Sequence, residues 1–207
     1  MPNTTKMAIP YPSSTDLVKD GATAMQNLAT QVDAKSGLVL INTTTFSAVT
    51  SQSINDVFSA NYDNYRIVAN ILGAGAGGGG YATNLRLRVA GVDNSSSNYR
   101  YSGYGLGDLS ASAIFKLQSN GLTTSFLCEA ASSQSYSYKV IDIFSPFKTE
   151  NTSYNYQGMY VESTPQFFNF NAGGVMSVTT SYTGFTLFTA AAGTTIEGRI
   201  SVYGYNK

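Results

Sequence analysis

The chain has no histidine, one cysteine, and only 12% charged residues, with 12 basic and 12 acidic side chains cancelling to a net charge of zero. Without histidine there is no usual general base, no commonest metal ligand, and no Ser-His-Asp or Cys-His arrangement, which excludes most hydrolase mechanisms. A single cysteine forbids an intrachain disulfide. Cys128 sits in the apolar stretch Phe126-Leu127-Cys128, where a thiol behaves as a small buried hydrophobe. No Lys/Arg run provides the electrostatic footprint of a phosphate-backbone binder, so nucleic acid is not an expected partner. Nor does any run approach the roughly 18 consecutive apolar residues of a membrane-spanning helix. The start, Met1-Pro2-Asn3-Thr4-Thr5-Lys6-Met7, lacks the basic and apolar regions of a secretory leader, and membrane insertion is not expected. The Asn-x-Ser/Thr triplets at Asn3, Asn42, Asn94 and Asn151 are read as a product of composition.

What the chain has is area to bury: 15 tyrosines and 11 phenylalanines set among serine, threonine, asparagine and 20 glycines. That supply of apolar area argues for a folded, polar-surfaced protein and against disorder.

Two regions divide it. In residues 1–36 an arm punctuated by Pro10 and Pro12 leads into a helical pattern in which Val18, Ala22, Met25, Ala29 and Val32 recur at alternating spacings of four and three. This is the heptad seam by which helices of separate chains pack, and it predicts a homo-oligomer. Asp16 is placed to cap the helix, Asp20 adds negative charge to its first turn, and Ser36-Gly37 is a plausible stop. Ordering costs about 1–2 kcal/mol per residue and each buried Val or Met returns only about 1.5–3, so a helix with alanine at much of its seam needs neighbours. Those neighbours are other chains or, alternatively, its own β domain. The prolines flanking Tyr11 favour an extended backbone without amide donors, and the arm Ile9, Pro10, Tyr11, Pro12 is expected to dock on another protein.

From residue 37 to 207 the period becomes two. Tyr65-Arg66-Ile67-Val68-Ala69-Asn70-Ile71-Leu72 and Leu85-Arg86-Leu87-Arg88-Val89 each set an apolar face against Arg66, Asn70, Arg86 and Arg88. Lys139-Val140-Ile141-Asp142-Ile143-Phe144 reads as a more fully buried strand. In the last segment Ile196, Ile200 and Val202 oppose Glu197, Arg199 and Tyr203, a strand that closes the sheet. Turn clusters at Asp93–Ser97, Ser119–Gly121, Asn171–Gly174 and Ala192-Gly193 are spaced for about eight to ten antiparallel strands. The expected fold is mainly β: an antiparallel β-sandwich of jelly-roll type behind an extended arm and short helix.

Several short stretches resemble a known family. Ile9-Pro10-Tyr11-Pro12 with Thr15-Asp16 and Lys19-Asp20-Gly21-Ala22 is similar to the amino-terminal segment of tail-associated and fibre proteins of tailed bacteriophages. Tyr62-Asp63-Asn64-Tyr65-Arg66, Leu85-Arg86-Leu87-Arg88-Val89 and Asp142-Ile143-Phe144-Ser145-Pro146-Phe147 are similar to the virion β domain that follows it. The resemblance implies a virion structural protein made in the host cytoplasm and carried on the particle exterior. It also implies a homotrimeric tail fibre or tip module, attached to another virion protein through its amino-terminal part and contacting a host-surface glycan or protein. It supplies no catalytic residue, metal or cofactor. A capsid decoration or head-spike protein is the alternative reading, and a glycan-degrading enzyme a third.

Gly73-Ala74-Gly75-Ala76-Gly77-Gly78-Gly79-Gly80 contains a G-x-G-x-x-G match, but the alternating segment after it offers no helix for a pyrophosphate, so it is read as a loop. Tyrosines cluster at Tyr99, Tyr101 and Tyr104, at Tyr136 and Tyr138, and at Tyr154, Tyr156 and Tyr160. Such rings either cover a sheet or stack on a ligand. The first group, beside Gly103-Tyr104-Gly105-Leu106-Gly107 read as a loop, is the expected receptor contact. The carboxylates are scattered singly without metal-ligand spacing; a glycosidase pair would have to assemble in space about 5–9 Å apart. No enzyme is expected.

Overall fold

A computed structural model describes residues 11, 20–34, 37–75, 80–108, 114–129, 131–132, 135–161 and 166–206. The chain divides into two compact units, Met1–Val39 with Asn206–Lys207, and Leu40–Tyr205.

In the first unit one helix, α1 (Gly21–Ala34), is described, just after Asp20. The expected cap at Asp16 lies outside the described residues. The Asn206 amide donates to the Gly37 carbonyl at 3.1 Å.

The second unit is mainly β, with antiparallel sheets. Its strands are β1 (Leu38–Val49), β2 (Ser51–Ile54), β3 (Asn64–Ala74), β4 (Gly80–Tyr81), β5 (Thr83–Val89), β6 (Val92–Asp93), β7 (Tyr99–Gly107) and β8 (Ile114–Gln118). They continue as β9 (Phe126–Leu127), β10 (Ala131–Ser132), β11 (Ser137–Phe144), β12 (Ser153–Val161), β13 (Phe167–Met176), β14 (Gly184–Thr189) and β15 (Thr195–Tyr205). The count exceeds the expected range, in large part because β4, β6, β9 and β10 are pieces of two residues each, too short to show a period. A large sheet runs β1-β15-β3-β11-β12-β13-β7-β8, with β10 attached to β3 and β4 to β10. A smaller one runs β2-β14-β5-β6, with β9 beside β5. The last strand therefore lies inside the large sheet, between β1 and β3, and does not form its edge.

Alternation decides which side chains go inward. Along β3, Tyr65, Ile67, Ala69 and Ile71 are buried while Arg66, Val68 and Asn70 face the other way. Leu85, Leu87, Phe185 and Leu187 of the smaller sheet join Ile67, Ile141, Tyr156 and Ile200 of the larger in one core. Rings tie the sheets together: Phe126 of β9 stacks on Tyr154 of β12 with centroids 4.0 Å apart and meets Tyr99 edge-on at 4.9 Å.

Two glycines are required by backbone geometry. Val89 pairs with Val92 across a two-residue turn in which Ala90 and Gly91 have φ of 48° and 80°, the left-handed pair of a tight hairpin. Gly198 has φ of 146°, and a Cβ there would lie 2.0 Å from the Asn70 carbonyl oxygen. Among the described residues no helix is long and apolar enough to cross a membrane.

Candidate functional site

The expected receptor tyrosines do not share a surface. Tyr99 to Gly107 is a continuous strand, β7, paired along its length with β13, so the presumed loop is a strand and parity governs its side chains. Tyr99 points inward and is fully buried, its hydroxyl accepting from the Leu87 amide at 3.0 Å and donating to the Asn94 carbonyl at 2.8 Å. Burial pushes its phenol well up from the ordinary range. Tyr101 is inward and half-buried, whereas Tyr104 is on the opposite face and 49% exposed. The glycines that looked like loop residues make room for neighbours: a Cβ at Gly105 would meet the Phe170 ring at 2.5 Å, and one at Gly103 the Asn171 carbonyl oxygen at 2.1 Å.

On α1, Ala22, Met25, Ala29 and Val32 are all exposed, Met25 and Val32 by 71% and 50%, and Leu28 joins them. Among the helix residues whose side chains are described, only Ala24 is buried. Val18 and the arm residues Ile9, Pro10 and Pro12 lie outside the described residues; Tyr11 is exposed. Of the glycine-rich run, 76–79 are also outside, while Gly80 opens β4.

The face of the large sheet turned away from the core carries the second tyrosine group. The ladders align Arg199, Asn70, Tyr138, Met159, Asn169, Leu106 and Ile114 in one row across β15, β3, β11, β12, β13, β7 and β8. At roughly 4.8 Å between strands, the stretch from Asn70 to Leu106 spans about 19 Å. Tyr138 is 56% exposed on a strand paired on both sides. To one side lies a concavity of about 400 Å³ lined by Thr45, Phe46, Ser47, Asn70, Tyr136, Glu197, Gly198 and Arg199. To the other lies one of about 250 Å³ lined by Tyr138, Val140, Gln157, Gly158, Met159, Phe167 and Asn169.

The strongest charges on this face cancel one another. Arg66 and Asp142 pair across β3 and β11 in a two-pronged contact with both distances at 2.8 Å, and the Tyr205 hydroxyl donates to the same carboxylate at 2.7 Å. Burial alone would raise the Asp142 carboxyl, but the hydrogen bonds from Arg66 and Tyr205 hold it below its ordinary value. Burial and Asp142 together push the Tyr205 phenol up to about 12. Within the first concavity Ser47 donates to Glu197 at 3.3 Å.

Beneath the sheet is a group that alternation could have revealed. Lys139 shares parity with Ile141 and Ile143 and is therefore inward, 1% exposed. Its Nζ donates to the carbonyls of Cys128 at 3.2 Å and Glu129 at 2.6 Å. Thr83 also donates to the Cys128 carbonyl, Tyr156 to that of Glu129, and Tyr154 to that of Leu127 at 3.1 Å. Three consecutive carbonyls are thus satisfied by buried side chains. Burial drives the lysine amine down to about 7 against the pull of Cys128 and Glu129, and drives the Cys128 thiol up to about 12. The thiol is buried and inert, as its apolar context predicted. Among the described residues no three His, Cys, Asp or Glu side chains group as metal ligands.

No family model and no curated protein matches this chain. Among solved structures it is similar to the CBM2 module of Lactobacillus casei BL23 phage J-1 evolved Dit, at 12% identity over 76% of this chain and 69% of that one, with a TM-score of 0.28. That superposition is too loose to carry a residue from one protein to the other.

Proposed function

We propose that this chain is a structural protein of a tailed-phage particle that acts by binding, its β unit presenting the outer face around Tyr138 to the host surface. In this reading α1 joins copies of the chain, as a homotrimer, through Ala22, Met25, Ala29 and Val32, and the arm at Ile9–Pro12 attaches it to another virion protein. The two sheets form an unequal sandwich, a variant of the jelly-roll arrangement.

The observation that carries the proposal is the open face itself. A paired, rigid strand holds an aromatic ring in solvent between two concavities, while the acid and base nearby are engaged with each other. Met159 and Phe167, also exposed, line the same concavity as the ring, and a contiguous exposed apolar patch of this kind marks an interaction site. The exposed apolar stripe of α1 supports self-association, since an isolated helix of 14 residues is marginal in water.

Electron cryo-microscopy of intact particles tests the assignment. A few copies at the tail tip or its periphery, with Tyr138 facing outward, are expected. Many copies on the capsid lattice would make the chain a decoration protein and remove the attachment reading. Replacing Met25 and Val32 with Asp should lower the oligomer's mass by light scattering, and an unchanged mass would remove the role given to α1.

A further inference from the structure

We infer that the outer face at Tyr138 binds a neutral oligosaccharide, laid across the strands with one sugar ring on the Tyr138 phenol and adjoining sugars in the two flanking concavities. The inference rests on the attachment reading and adds to it the chemical class of the ligand.

Three properties of the face select that class. The first is the ring. Tyr138 stands on a strand paired on both sides, so the backbone that carries the ring is already fixed when the C–H face of a sugar stacks on it. The second is the nature of the polar groups. Gln157 and Asn169 are exposed carboxamides, and each can donate and accept, which matches hydroxyl groups that do both. The third is charge. Arg66 is spent on Asp142, Glu197 and Arg199 in the first concavity oppose one another in sign, and the second concavity has no charged side chain, so the lining of the two concavities carries no net charge. The row from Asn70 to Leu106, about 19 Å across the strands, is long enough for several linked sugars.

The test is titration of the full-length protein with neutral hexose oligosaccharides of graded length and with their uronic-acid counterparts, read by calorimetry. Neutral chains should bind, more tightly with length up to the span of the row, and more tightly than the acidic chains of the same linkage. Tyr138→Ala should weaken binding by about tenfold and Asn169→Ala by severalfold. Phe115→Ala, on the inward side of β8, should leave it unchanged; both tyrosine and phenylalanine are exposed enough to be replaced without loss of fold. Preference for the acidic chains, absence of neutral binding, or binding indifferent to Tyr138→Ala would each overturn the inference. A chain located at the tail tip that binds no neutral oligosaccharide would sink the ligand class and spare the attachment reading. A chain on the capsid lattice that still binds through Tyr138 would do the reverse.

Discussion

Lys139 should give the protein a stability that rises with pH above about 7. In the fold its amine is pushed from 10.5 down to about 7, so between those values the unfolded chain binds a proton that the folded chain does not. Stability must then increase with pH across that window and level off below about 7. At about 1.4 kcal/mol per pH unit for one proton, the rise from pH 7 to pH 9 is about 2–3 kcal/mol. Above pH 9 the opposite trend enters, because the Cys128 thiol is raised to about 12 and keeps its proton in the fold after the unfolded chain has lost it. No histidine titrates in the window to obscure the slope. The assay is urea unfolding followed by circular dichroism at pH 7, 8 and 9, for the native chain and for Lys139→Met. Methionine removes the titrating group while filling similar space. The Cys128 and Glu129 carbonyls keep Thr83 and Tyr156 as donors, so the variant should lose no more than about 1–3 kcal/mol. Its slope between pH 7 and 9 should nearly vanish. A native protein whose stability is constant or falls over this range, or a methionine variant that retains the rise, would refute the reasoning.

Other perturbations test the packing. Phe126→Ala removes a fully buried ring held between Tyr99 and Tyr154 and should cost about 3–5 kcal/mol in chemical denaturation. Gly198→Ala forces a Cβ against the Asn70 carbonyl at a φ unsuited to alanine, and should cost at least about 1–3 kcal/mol, visible as a lowered Tm. Gly91→Ala, with open space around it, should cost only about 1 kcal/mol. Asp142→Asn should loosen both Arg66 and Tyr205, and the Tyr205 phenol, now near 12, should fall toward its ordinary value in a spectrophotometric titration.

The long strands were legible because each carries enough residues for parity to show. Tyr65 to Leu72 and Thr195 to Tyr203 separate into inward and outward sets as their sequence predicts. Parity applied to β7 would also have divided Tyr99 and Tyr101 from Tyr104. The glycines at 103, 105 and 107 hid it, because turn composition and a strand that yields space to neighbouring rings look alike in one dimension. Lys139 was missed for a related reason: a charged residue among apolar ones reads as an outward residue until its register against Ile141 and Ile143 is counted. The outer-face row could not be foreseen from spacing at all, since Asn70, Tyr138 and Asn169 meet only through pairing of strands far apart in the chain.

The glycines of the large sheet also constrain how this sequence can change over time. Phe170 lies over Gly105 and Tyr62 over Gly204, each ring occupying the volume where the glycine's side chain would otherwise be. A mutation at either member of such a pair is harmful alone: the glycine cannot grow while the ring remains, and the ring cannot shrink without opening a void. Passage from one packing to another requires both changes, so each ring and its glycine should be inherited as a unit while the solvent-facing positions between them drift independently.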